Sequence, residues 1–372
     1  MSQMILESPQ TSNTSGRKSL ALVLTLAITG SAIYGLSNDN SPRLEIDDKV
    51  TGSPTSRAVT AANAFLEALD DKQKEKTLFD FTSGKKSNWS NLPASFVPRN
   101  GVKLGDLSKD QRALAFKVLA SVLSKSGFQK MIDIMEGDQR LLDNNPGKGG
   151  KGGGKGGGGP MFGSDLYFLA IFGKPSETQP WMLQFGGHHL GLNVSIVGKH
   201  FILTPTHTGS QPALYKRDGK EVRPLGLEND TAFKLVNSLD EKQKAAAILS
   251  SRPQQELLLG PGRDGRKIEA KGIKGSALTD EQRTMLLDVI AAWIDITEPD
   301  SAALRMAEIK EKVADTYFAW SGPTEKGSAA YFRIQGPSIV IEYAPQGSAD
   351  HIHTVVRNPA DDYGVGTAKD MK

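Results

Sequence analysis

The 372-residue chain contains no cysteine. That absence removes disulfide scaffolds, thiolate metal sites and cysteine nucleophiles together, so any metal must be held by histidine, carboxylate or amide. An excess of one charge is also lacking. Lys+Arg 45 against Asp+Glu 42 leaves a net charge of +3, mixed along the chain, and nothing in it argues for nucleic acid as a partner. Long apolar runs are absent except for residues 19–35, which follow Arg17-Lys18 and carry no charge. This run is short for a span of roughly 20 residues, and Gly30-Ser31-Ala32 supplies the small-x-small pattern of a signal-peptidase site. Residues 1–36 therefore read as a signal peptide cleaved after Ala32. The alternative is an uncleaved N-terminal anchor with Arg17-Lys18 left in the cytoplasm. Both place the body outside the cytoplasm, periplasmic or secreted, with the membrane reached only through an uncleaved segment.

Residues 37–60 are rich in Ser, Asn, Asp, Pro and Gly and are expected to be a flexible linker. The globular body spans 61–364, followed by a tail over 365–372. Four helix starts recur in it, at Leu69, Leu107, Leu239 and Leu278. Asp70, Ser108, Asp240 and Thr279 can each accept from the amide three residues on, while Gln73, Gln111, Gln243 and Gln282 reach back, as in a capping box. The starts lie 38 positions apart in one half and 39 in the other. A further amphipathic helix is expected after each pair, over 128–142 and 304–320. Tyr167-Phe168 precedes His188 by 21 positions, and Tyr331-Phe332 precedes His351 by 20. The shared order predicts an internal duplication, with halves at 61–195 and 231–356.

Residues 146–160, PGKGGKGGGKGGGGP, read as a disordered Gly/Lys loop. A phosphate-loop assignment fails because Gly156 stands where Ser or Thr is needed for magnesium and no strand leads in. Residues 89–99 and 260–275, rich in Pro and Gly, are expected to be surface loops.

Histidine is scarce, six residues in all, and four lie within 181–212, a β-hairpin pattern. On an extended strand His188 would share a face with Leu190, Leu192, Val194 and Ile196, and His189 with Gly191, Asn193 and Ser195. Gly186-Gly187 could host a bulge that re-aims one ring. His351 and His353, two positions apart, project from one strand face about 6.5 to 7 Å apart at their Cα atoms, close enough to converge on one metal. Any single histidine is better explained as an ordinary packed, hydrogen-bonded ring; the clustering is what points to a site. His200 and His207 are placed at the surface or rim. Glu342 could serve as fourth ligand or general base, and Arg357 continues the face of His351 and His353. Asp361-Asp362 fit a solvated turn. Trp181 suits either a cleft or the core.

These residues resemble a family of uncharacterised, mostly exported bacterial proteins, domain of unknown function 3500. The likeness runs through the Leu-x-x-x-Gln-Arg/Lys caps, Trp89-x-Asn91-x-Pro93, Phe185-Gly-Gly-His-His-Leu190, Phe318-Ala-Trp-Ser-Gly322, Ile341-Glu342 and His351-x-His353 through Arg357 to Gly364, covering roughly residues 61–364. The resemblance implies a fold and site positions but no reaction.

The expected architecture is α+β, with two pseudo-repeated halves whose helices pack on antiparallel β-hairpins and whose histidine strands meet near the join. The expected function is a metal-dependent hydrolase holding a divalent ion, zinc or copper, on His188, His189, His351 and His353, with Glu342 and Arg357 in catalysis. The alternative is a non-catalytic extracytoplasmic ligand- or metal-binding protein. The partner would be a small-molecule or extracellular substrate. Metal binding should weaken as pH falls through roughly 6.5, the ordinary histidine value.

Overall fold

The computed structural model describes residues 52–144 and 161–370. The apolar run at 19–35 and the whole Gly/Lys loop at 146–160 lie outside the described residues. Among the described residues no helix is long and apolar enough to cross a membrane. The first helix, α1 (Pro54–Glu67), begins inside the stretch expected to be linker. Ser53 caps it by accepting from the Ser56 amide, Pro54 stands in its first turn, and Ala58, Ala62 and Phe65 form a buried stripe. A start signal of this kind overrides polar composition once an apolar face has somewhere to pack.

After α1 come α2 (Asp71–Thr77), β1 (Leu78–Phe79), β2 (Val102–Lys103), α3 (Lys109–Val122), α4 (Lys125–Asn144), β3 (Phe168–Phe172), β4 (Trp181–Gly186) and β5 (Leu190–Val197). A middle section holds β6 (His200–Ile202), β7 (Thr206–Ser210) and the small hairpin β8 (Tyr215–Arg217) and β9 (Lys220–Val222). Then follow α5 (Gly226–Ser238), α6 (Glu241–Ala247), β10 (Ile248–Ser250), β11 (Ile273–Lys274), α7 (Asp280–Ile294), α8 (Pro299–Glu311), β12 (Tyr317–Ser321), β13 (Tyr331–Gln335), β14 (Val340–Pro345), β15 (Ile352–Arg357) and α9 (Val365–Asp370). The fold is α+β.

All four capping boxes form, each cap contributing about 1 kcal/mol. Their glutamines do a second job. Gln73 and Gln111 exchange side-chain amide bonds at 3.2 and 2.8 Å, and Gln243 and Gln282 do the same at 2.8 and 2.9 Å. Each pair ties two helix starts together, α2 to α3 and α6 to α7.

One 13-stranded sheet runs β1-β3-β4-β5-β7-β15-β14-β13-β12-β10, with β2 on β3, β11 on β12 and β6 on β5. The outer strands β1 and β10 pair parallel with β3 and β12, while β2 and β11 pair antiparallel with the same two strands. By this order Phe168–Phe172 in β3 stands where Tyr317–Ser321 in β12 stands, not where Tyr331 and Phe332 stand. The expected match of Tyr167-Phe168 to Tyr331-Phe332 was therefore one strand out. His188 lies in the turn between β4 and β5, whereas His351 sits at the head of β15, so the two do not occupy matching places. Residues 317–320 are strand rather than the end of a helix, because Phe318 and Trp320 alternate onto the buried face of β12.

Helices cover one face of the sheet in two apolar clusters. One joins Phe65, Leu119 and Met131 to Leu169, Leu183 and Leu192; the other joins Phe233, Val289 and Trp293 to Phe318, Phe332 and Ile341. Trp181 is fully buried in the first and is a core residue. The opposite face is covered by the segments 80–101 and 251–272. Residues 89–99 and 260–275 are thus not simple surface loops: Trp89 is buried on Ala170, Met182, Val355 and Tyr363. Its indole nitrogen donates to the Tyr363 hydroxyl at 2.9 Å.

Candidate metal centre

The turn between β4 and β5 is where the histidines first depart from strand geometry. The Gly187 amide donates to the Leu190 carbonyl at 2.9 Å, closing a tight connection. A Cβ on Gly187 would lie 2.8 Å from the Tyr167 ring, so only glycine fits. His188 and His189 therefore sit in a bend and do not alternate faces. Their ring centroids are 3.8 Å apart, and both approach one carboxylate, Asp138 of α4.

Asp138 is almost fully buried. Its Oδ1 lies 2.6 Å from His189 Nδ1, and its Oδ2 accepts from the Tyr167 hydroxyl at 2.7 Å and the His189 amide at 3.3 Å. His188 Nδ1 is 3.4 Å from the same Oδ1 but lacks hydrogen-bond geometry. Burial by itself would push the Asp138 carboxyl up; the two imidazoles outweigh it and hold it well below the usual carboxylate range. An ionised carboxylate only accepts, so His189 Nδ1 carries a proton, and in the neutral ring a metal would need, Nε2 is the nitrogen with the lone pair.

That lone pair faces His351. His189 Nε2 is 3.1 Å from His351 Nε2, which is in turn 3.1 Å from His353 Nε2. His353 Nδ1 lies 3.0 Å from Asn91 Nδ2 on the covering segment. Ligating atoms of His188, His189 and His351 all fall within 4.8 Å of one another. Two nitrogens bound to one zinc at about 2.0 to 2.1 Å stand about 2.9 Å apart at a right angle and about 3.3 Å apart at the tetrahedral angle. The observed 3.1 Å separation falls between these.

Burial, reinforced by neighbouring imidazoles, lowers the pKa of His188 to about 4 and of His351 to about 3, and drives His353 well below the ordinary value. Neutral rings with converging nitrogens are what a metal needs. With Asn91 donating to His353 Nδ1, His353 Nε2–H can satisfy His351 Nε2. His189 and His351 then face lone pair to lone pair, an arrangement that suits a cation between them, whereas a proton on His351 Nε2 would make the same contact an N–H···N bond. Turning the Asn91 amide over would aim the His353 lone pair at the same point.

His207 was expected at the rim and is instead fully buried in β7. Its Nδ1 lies 2.8 Å from the Thr354 carbonyl, its Nε2 has no partner, and its ring is 5.3 Å from His353. Burial lowers its pKa to about 3. His200 is half-buried in β6, away from the cluster. Gly209 makes the crowding possible: a Cβ there would lie 2.9 Å from His189 Cδ2 and 3.1 Å from His353 Cδ2.

A family model described as a protein of unknown function, DUF3500, matches residues 51–365. The chain belongs to this family. No curated protein and no solved structure matches it.

The other two residues expected in the site of this DUF3500 chain take different parts. The Glu342 carboxylate accepts from the Leu258 and Leu259 amides at 2.8 and 2.7 Å and from the Tyr331 hydroxyl at 2.8 Å. Arg357 donates to the Leu259 and Gly260 carbonyls and pairs with Asp264 and Asp362. Both pin the segment 251–272 to the sheet, and neither meets the histidines. Asp362 is likewise engaged by Arg357 and the Asn358 amide, not a solvated turn.

Asp138, Asn91 and His207 escaped the sequence reading. Asp138 had a usable signal: it extends the buried stripe of Phe128, Met131 and Met135 on α4, and a carboxylate in a core position needs a partner. Asn91 stood in the Trp89-x-Asn91-x-Pro93 motif with nothing to say what it touched.

Proposed function

We propose that this chain is an exported, divalent-metal-binding protein whose ion sits between His189 and His351, with His188 and His353 completing the imidazole set. The observation that carries this is the 3.1 Å approach of two Nε2 atoms with a ligating atom of His188 within 4.8 Å of both residues, the spacing of imidazoles gathered about one ion. Asp138 would act behind His189, fixing its tautomer and raising its basicity as carboxylates do behind zinc-bound histidines. Four imidazoles and no thiolate suit zinc or copper.

Retention of the metal is better supported than hydrolysis. A hydrolytic site needs a base beside a metal-bound water. Asp138 is already bonded to His189 and Tyr167, and Glu342 is held by the Leu258 and Leu259 amides away from the histidines. Export is supported by the N-terminal apolar run behind Arg17-Lys18. The recurrence of helix pair, parallel edge strand and antiparallel hairpin in both halves supports descent from a duplicated unit.

Elemental analysis of purified full-length chain, stripped and then reloaded with zinc or copper, tests the metal. About one equivalent per chain is expected at neutral pH, lost in His189→Ala and in His351→Ala. Wild-type protein that takes up neither ion would overturn the proposal.

A further inference from the structure

The loop-covered face of the sheet carries a second unusual group. Across the strands His207 stands opposite Val355, Val355 opposite Glu342, and Glu342 opposite Arg333. Arg333 thus shares the face of His207 at three strand spacings, about 14 Å. It is only 5% exposed. Its Nη2 donates to the Glu269 carbonyl at 3.0 Å, it also interacts with the Tyr331 hydroxyl and with the charge of Glu342 opposite it, and its Nε has no hydrogen-bond partner. Among the described residues no carboxylate lies within ion-pair distance of it. The nearby Glu342 oxygens are taken by two amides and the Tyr331 hydroxyl.

A guanidinium cannot shed its charge when buried, and with Glu342 opposite it beyond ion-pair distance and its Nε unpartnered, Arg333 keeps hydrogen-bonding capacity that the protein leaves unused. A position in the first half with comparable strand neighbours is filled by a neutral side chain whose hydrogen bonds are all made. Gln184, opposite Ala170 and Asn193 as Arg333 is opposite Ala319 and Glu342, is neutral. Its amide is satisfied by Asn193, Asn100 and the Lys86 carbonyl.

Arg333 lines a cavity of about 300 Å³, together with Leu249, Leu258, Ile268, Tyr331 and Lys271. The Lys271 ammonium has only an exposed contact at 3.4 Å with Glu269, a pairing that holds it weakly. Leu249, Leu258 and Ile268 make one side apolar, Gln254, Ser321 and the exposed Glu269 line the rest, and Arg333 is the buried cation within; Arg offers a planar fork that fits a carboxylate with two parallel bonds. A multiply charged oxyanion would need more buried cations than this.

We propose that this cavity binds a small monocarboxylate with a short apolar chain, its carboxylate on Arg333 and its chain against Leu249, Leu258 and Ile268. The site is separate from the histidine cluster and does not depend on it.

Calorimetry on the full chain at neutral pH tests this with acetate, butyrate and hexanoate, with butanol and inorganic phosphate as controls. Saturable binding is expected for butyrate or hexanoate, weaker for acetate and absent for butanol. Arg333→Met should weaken it by about tenfold or more. Leu249→Trp, half-exposed at the cavity, should block the chain without touching the guanidinium, and so serves if Arg333→Met fails to fold. Binding should persist in His351→Ala. No saturable binding of any carboxylate at about 10 mM, well above the affinity of a useful site, would overturn the proposal. So would equal binding by Arg333→Met, or binding of phosphate alone.

Discussion

Thr208 and Thr354 stand opposite one another where β7 meets β15, their hydroxyl oxygens 2.7 Å apart. Trp293 of α7 donates to Thr354 Oγ1 at 3.0 Å, which places both hydroxyls on the helix side. The residue before each threonine is a histidine, and neighbours on a strand face opposite ways. His207 and His353 are therefore turned together toward the covering segments. The central pair of strands thus registers imidazoles contributed by two distant parts of the chain.

Asp138→Asn should keep the fold of α4 but weaken metal binding by about 10- to 100-fold, because an amide no longer fixes the proton on His189 Nδ1. Titration with zinc under a competing chelator measures this. His200→Ala should bind as wild type, and a loss there would place the ion elsewhere.

Gly209→Ala should disrupt the centre without removing a ligand. The added methyl meets His189 Cδ2 and the Ile352 carbonyl at 2.9 Å, and overpacking of this kind costs about 1 to 3 kcal/mol. Denaturant unfolding should show that loss, alongside metal affinity reduced more than in His200→Ala. Unchanged affinity would mean that the rings need not be this close.

Proton competition should set in late. The burial-lowered values of about 4 for His188 and about 3 for His351 keep these rings neutral well below the ordinary histidine value. Metal loading at pH 5.5 should accordingly be close to that at pH 7, and a midpoint near 6.5, as expected from the sequence, would contradict the burial of the site. Stability of the metal-free protein behaves differently. The unfolded chain takes up protons once pH falls below about 6.5, while the folded rings resist until about 4 or lower. Stability is therefore present above 6.5 and is lost progressively as pH falls toward 4. Urea midpoints measured across this range without metal would show it.

Glu342→Gln should leave metal uptake unchanged and loosen the segment 251–272. An amide can replace one acceptor of the two buried backbone donors only by leaving the other poorly served, at a cost of about 1 to 3 kcal/mol. Limited proteolysis should cut within this segment sooner than in wild type. Loss of metal instead would return Glu342 to the site.

The exported form should begin near Ile33, as the small residues Gly30-Ser31-Ala32 imply. Intact mass of protein recovered outside the cytoplasm checks this. A full-length membrane-bound product would favour the anchor, and a full-length cytoplasmic one would remove the case for export.

Local chemistry was legible from the chain itself. The capping boxes at Asp70, Ser108, Asp240 and Thr279 formed where the spacing put them, because a cap is closed by residues three apart and needs nothing distant. The rings of His351 and His353 do meet, but only His353 lies in β15, while His351 sits in the bend before it. What the sequence could not decide was which residues meet across the sheet. Pairing β7 with β15 buried His207, and packing α4 under the β4–β5 turn brought Asp138 to His189. Folding 251–272 over the sheet turned Glu342 and Arg357 into its fastenings. These contacts join residues from about 50 to 150 positions apart. Local pattern carries no record of such distances, and only the shared burial of the two halves against one sheet fixes them.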